Sequence, residues 1–146
     1  MKIIDFIVCD DIRNEVNNKV SLIGIYNDAI NFIVPANSSW PKILQLGLFI
    51  RLDFENDNEY KNIGKLEILS KINEEVIFQI SQNLTNNEQD IIPRKRMIIS
   101  VVLNQVNINK PGDMELSLKV YNINNEITDT FYYPENIKIV EIVQKM

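Results

Sequence analysis

Between Leu44 and Phe54 the chain alternates. Leu44, Leu46, Leu48, Ile50, Leu52 and Phe54 fall at every second position, with Gln45, Gly47, Phe49, Arg51 and Asp53 between them. An extended chain turns successive side chains to opposite faces, so this spacing makes one apolar face and one largely polar face. A helix would scatter the same apolar residues around its axis. The spacing predicts a long strand in a half-buried antiparallel sheet, with Gly47 as a bulge. Whatever else the chain does must accommodate that strand.

The flanking segments read the same way. Ile3 to Cys9 is an apolar run broken by Asp5, and Asp10 to Glu15 is a polar connection. Lys19 to Tyr26 is apolar on both alternating faces, which predicts a central strand covered from both sides. Ala29 to Val34 is a further strand closed by Pro35, and Trp40 is expected to fold back on the rim of the core. Lys65 to Leu69 and Val76 to Ile80 form a hairpin around Lys71–Glu74, with Leu66, Ile68, Val76, Phe78 and Ile80 turned inward. Met97 to Val106, Met114 to Tyr121, Glu126 to Tyr133 and Ile137 to Val143 complete the set. Strands at this spacing, with no convincing helix, predict an all-β fold, an antiparallel immunoglobulin-like or C2-like β-sandwich. The length of 146 residues suits one such domain spanning 1–146.

Charge and composition remove several functions. A net charge of −5 works against a sequence-independent grip on nucleic acid, which depends on neutralising many phosphates, and against docking to an anionic membrane. Cys9 is the only cysteine, so no intramolecular disulfide forms, and a reducing, cytoplasmic setting is expected. The chain has no histidine, which excludes Ser–His and Cys–His nucleophiles and imidazole metal sites. Asp10 and Asp11 disfavour a thiolate at Cys9, leaving it a buried packing residue.

The carboxylates offer little more. Asp10-Asp11 and Glu74-Glu75 are adjacent pairs that an extended chain points apart, so neither is a ready acid/base dyad. Asp53 to Asp57 begins like a calcium loop, but Asn58 stands where that loop needs glycine and Gly64 where it needs glutamate. Asp10, Asp11, Asp28, Asp57 and Asp113 are turn carboxylates of the kind a C2-like domain uses, without C2-like spacing. No catalytic residue, metal ligand or cofactor-binding residue is assigned, and no cofactor is expected.

Phe6-Ile7-Val8-Cys9-Asp10-Asp11-Ile12-Arg13, followed by Asn18-Lys19-Val20-Ser21-Leu22-Ile23-Gly24-Ile25-Tyr26, resembles the opening of the bacterial family of unknown function DUF6941. Pro41 with the long alternating strand, and Pro111-Gly112-Asp113-Met114-Glu115-Leu116, are similar to its middle and end. The resemblance covers most of the chain and implies a small cytoplasmic β-sandwich protein. It brings no catalytic residue with it.

These readings converge on a non-enzymatic binding module whose expected partner is another protein, with the oligomeric state open. A calcium-dependent or membrane-associated C2-like module is the first alternative, and a hydrolase using loop carboxylates the second. The segment from Asn83 to Arg96 is expected to be mobile, since Asn86 to Asp90 has no apolar stripe and Pro93 ends any central strand. Within it Ile91 and Ile92 beside Arg94, Lys95 and Arg96 form an apolar anchor with a charged rim, the candidate docking element.

Overall fold

The computed structural model describes residues 1–84 and 95–145. Among these, ten strands follow in order: β1 (Lys2–Asn14), β2 (Val20–Ile25), β3 (Ala29–Val34), β4 (Lys42–Asp53), β5 (Ile63–Ile72), β6 (Glu75–Asn83), β7 (Arg96–Ile108), β8 (Gly112–Asn122), β9 (Ile127–Tyr132) and β10 (Ile137–Val143). A four-stranded sheet has the order β2-β1-β4-β7. A six-stranded sheet runs β3-β10-β8-β5-β6, with β9 also pairing β8. The inner faces of the two sheets share one core.

The alternating stretch is β4, and its apolar set points inward as its spacing predicts. Leu46, Leu48, Ile50 and Leu52 have no exposed surface at all. They meet Leu66, Ile68 and Ile72 of β5, Met114, Leu116, Leu118 and Val120 of β8, and Ile137 and Ile139 of β10 in the same core. The outer face of β4 is less polar than expected. Phe49 points outward yet is only 9% exposed, so the middle of the strand is covered on both sides.

Gly47 is not a bulge. It stays in register, opposite Cys9 on β1 and Val102 on β7. The irregularity in the β4–β7 ladder falls between Leu44 and Leu46, where Asn104 and Gln105 of β7 face the single residue Gln45. Glycine is required at 47 for space, because a Cβ there would lie 2.9 Å from the Cys9 sulfur and 3.1 Å from Ile12.

Four further expectations are corrected. The polar run after Cys9 is not a connection, since β1 continues to Asn14 by pairing Asp11 with Ile23 and Arg13 with Ser21 of β2. β2 is an edge strand, not a central one, and Ile23 and Ile25 are exposed. Apolar residues on both faces report composition and not the number of neighbours. Val76 is exposed and not inward: a one-residue shift between Ser70 and Lys71 leaves Ile77 unpaired, puts Val76 opposite Lys71, and keeps Phe78 and Ile80 facing Ser70 and Ile68. Finally, the sheets are not wholly antiparallel. β3 runs parallel to β10, with Ile30 opposite Ile139.

One short helix does form, α1 (Asp57–Lys61). Asn56 caps it by accepting from the Glu59 N–H at 3.0 Å, and the Glu59 carboxylate accepts from the Glu55 N–H at 2.8 Å. Asn56 is the N-cap and the Glu59 carboxylate reaches back to the residue before it, a variant of the capping box whose sequence signal is Asn56 with Glu59 three residues on. Trp40 reaches the core rim as expected, packing edge-on against Phe32 at 5.6 Å with its indole N–H donating to Glu141.

Candidate binding surface

The outer face of the four-stranded sheet is ordered in rows by the strand register. Ile25, Cys9, Gly47 and Val102 lie side by side across β2, β1, β4 and β7. The next row is Ile7, Phe49 and Ser100. The third is Asp5, Arg51 and Ile98, and the fourth Lys2, Asp53 and Arg96. The face therefore grades from apolar to charged along the strands.

Ion pairs organise its charged half. Arg51 pairs with Asp5 on the neighbouring strand, and the Arg51 guanidinium lies 6.0 Å from the Phe49 ring centroid. Arg96 Nε sits 2.8 Å from Asp53 Oδ1. The hydrogen bond from Arg96 holds the Asp53 carboxyl below its ordinary value, and the same contact raises Arg96. Ile25 at the apolar end is 55% exposed and Ile98 in the third row 53%, whereas Cys9 between them is fully buried and Phe49 only 9% exposed. The face thus carries its aliphatic residues towards one end and its paired charges towards the other.

Of the candidate docking residues, Ile91, Ile92 and Arg94 lie outside the described residues. Arg96 opens β7 and Lys95 immediately precedes it, both exposed. The Lys95 carbonyl accepts from the Phe54 N–H at 2.8 Å. Arg96 belongs to the fourth row and already has Asp53 as a partner. The described part of the element thus borders the graded face, while its arginine charge is engaged internally.

The turn carboxylates are not brought together. Asp10 accepts from the Tyr26 hydroxyl, and Asp57 pairs with Lys61. Asp11, within β1, accepts from the Ile12 N–H at 2.9 Å. Asp113 faces Lys138 across β8 and β10. Among the described residues no group of three or more acidic or cysteine side chains is placed to hold a metal ion. Cys9 is fully buried, and burial raises its thiol pKa, with the charges of Asp10 and Asp11 adding to the shift. The sulfur is held as the neutral thiol, 3.4 Å from the Asp11 carbonyl.

The outer face of the six-stranded sheet is different in kind. Lys65, Glu67 and Lys71 of β5 and Glu115, Lys119 and Tyr121 of β8 share it, with Lys65 Nζ lying 3.9 Å from the Tyr121 ring centroid. Where β9 gives way to β10, a half-open hollow of about 250 Å³ is lined by Lys71, Ser117, Lys119, Tyr132 and Asn136 among others. Lysine and glutamate alternate across this face, so it has no single sign of charge.

The graded face was missed in the sequence for a reason that its residues make clear. Ile7, Ile25, Phe49 and Ile98 come from four strands, and only the pairing register places them together. A partial signal existed in Phe49, the one large apolar residue on the polar side of the alternating stretch.

Two sheets around one core make this an all-β protein, and its most distinctive surface is a sheet face and not a cleft. Residues 4–128 match the family of unknown function DUF6941, and the chain belongs to that family. The curated proteins contain no match to it.

Proposed function

We propose that this protein is a non-enzymatic binding module that recognises another protein through the outer face of its four-stranded sheet. The observation that carries the reading is the row order of that face: Ile25, Cys9, Gly47, Val102 and Phe49 beside the Asp5–Arg51 and Asp53–Arg96 pairs. Aliphatic side chains left half-exposed on a rigid sheet lose little conformational entropy on binding, and the ion pairs at the rim favour one orientation of the partner. Two face-packed sheets with sequential crossings between them support the sandwich reading, and of its types we take the immunoglobulin-like one.

The test is differential capture from an extract of the native host. Immobilised wild-type protein, an Ile25→Asp/Ile98→Asp variant and a Lys71→Glu/Lys119→Glu variant are compared by mass spectrometry, each checked for folding by circular dichroism. The reading predicts a partner retained by the wild type and the lysine variant and lost with the isoleucine variant. Identical captures from all three, or loss only with the lysine variant, contradict it.

A further inference from the structure

β7 is the edge of the four-stranded sheet, 13 residues long, and among the described residues β4 is its only ladder partner. From Met97 to Ile108 it contains no charged residue and no proline. Protein edges of this length are ordinarily blunted by lysine, proline or brevity, because an open row of backbone donors and acceptors invites pairing with another chain. The other edges show such devices. β2 and β3 have 6 residues each, and β6 opens on Glu75 and carries the irregularity at Ile77.

The inner side of β7 is also incomplete. Met97, Ile99, Val101 and Leu103 face the core opposite Leu52, Ile50, Leu48 and Leu46. All four residues of β4 are fully buried, whereas none of the four on β7 is. Beside them a hollow of about 290 Å³ opens, lined by Tyr60, Leu66, Leu84, Met97, Ile99 and Val101 among others. Side chains that belong to the core by register are left half-covered along this edge.

From this we infer that β7 pairs antiparallel with β7 of a second copy of this chain about a two-fold axis at Ser100, giving one continuous eight-stranded sheet. The argument for a second copy is the strand's self-complementarity. An axis at Ser100 sets Met97 against Leu103 and Ile99 against Val101 on the inner face, and Ile98 against Val102 on the outer face. Every such pair is aliphatic or methionine, and only the two serines meet on the axis itself. Such cross-strand pairs are the favourable unit of an antiparallel ladder. No charge opposes a like charge, since Arg96 falls opposite Asn104 and keeps its own Asp53. The axis also leaves the irregularity at Asn104–Gln105 at the end of the paired segment, where β7 turns away from a flat ladder. The pairing does not depend on the proposed recognition surface, though it would join the graded faces of two copies into one.

Light scattering after size exclusion tests this on the full chain. The wild type is expected at about twice its 17.0 kDa mass, dissociating on dilution. Ser100→Lys places two ammonium groups against each other on the axis and is expected to weaken association about a hundredfold. Ser100→Cys is expected to give a disulfide-linked dimer under mild oxidation, whereas wild type, whose Cys9 is fully buried, gives none. A wild-type monomer overturns the inference. A dimer indifferent to Ser100→Lys and not cross-linked through Ser100→Cys overturns it as well. Either result leaves the differential capture on the outer face standing as a separate test.

Discussion

Cys9 and Gly47 face each other across β1 and β4, and the thiol occupies the space a side chain at 47 would need. Gly47→Ala should destabilise the protein by roughly 1–3 kcal/mol, the usual cost of overpacking. Cys9→Ala in the same chain should recover a large part of that loss, because it removes the atom that collides. A double-mutant cycle by urea denaturation checks this, and additive losses would mean that Ile12, not the thiol, sets the constraint.

The two faces of β4 should prove almost equally sensitive. Leu48 is fully buried in the core and Phe49 is 9% exposed on the outer face. Leu48→Ala and Phe49→Ala should each cost about 2–5 kcal/mol. A Phe49→Ala loss well below 1 kcal/mol, measured by thermal or chemical melting, would return the outer face to the polar character its alternation predicts.

The strand set could be read from periodicity because periodicity is local. β4, β3 and β10 lie where alternation and Pro35 or Pro134 put them. What escaped was decided between strands. Whether Lys19–Tyr26 is an edge or a centre depends on how many neighbours it has, and only β1 pairs with it. The phase of Val76 depends on a shift against β5, and the graded outer face depends on the register of four strands at once. Each of these is a long-range relation that no window of residues contains. The lack of histidine and the single cysteine, by contrast, are properties of composition alone.

Ser70 points into the core with no exposed surface, and its hydroxyl has no hydrogen-bond partner among the described residues. A buried hydroxyl without a partner costs about 1–3 kcal/mol relative to an apolar group of the same shape. Ser70→Ala should therefore raise the stability by about 1 kcal/mol. A destabilised Ser70→Ala protein in calorimetry would show that the hydroxyl is satisfied.

The β5–β6 turn carries a second reserve of stability. Asn73 and Glu74 both adopt positive φ, 49° and 67°, as a two-residue type I′ hairpin requires. Glutamate bears the left-handed penalty of roughly 1–2 kcal/mol that glycine escapes, against a smaller entropic cost for glycine itself. Glu74→Gly should raise the melting temperature by a few degrees, a shift of about 1 kcal/mol or less. A lower melting temperature would mean that the Glu74 side chain makes a stabilising contact.

The central claim concerns which face meets the partner, and side-chain oxidation footprinting of the captured complex reads it directly. Ile25 and Ile98 stand 55% and 53% exposed on the four-stranded sheet, and Tyr132 stands 72% exposed on the other. Recognition through the graded face predicts oxidation of Ile25 and Ile98 falling several-fold on complex formation, with Tyr132 unchanged. Protection of Tyr132 with Ile25 and Ile98 still fully reactive would contradict it.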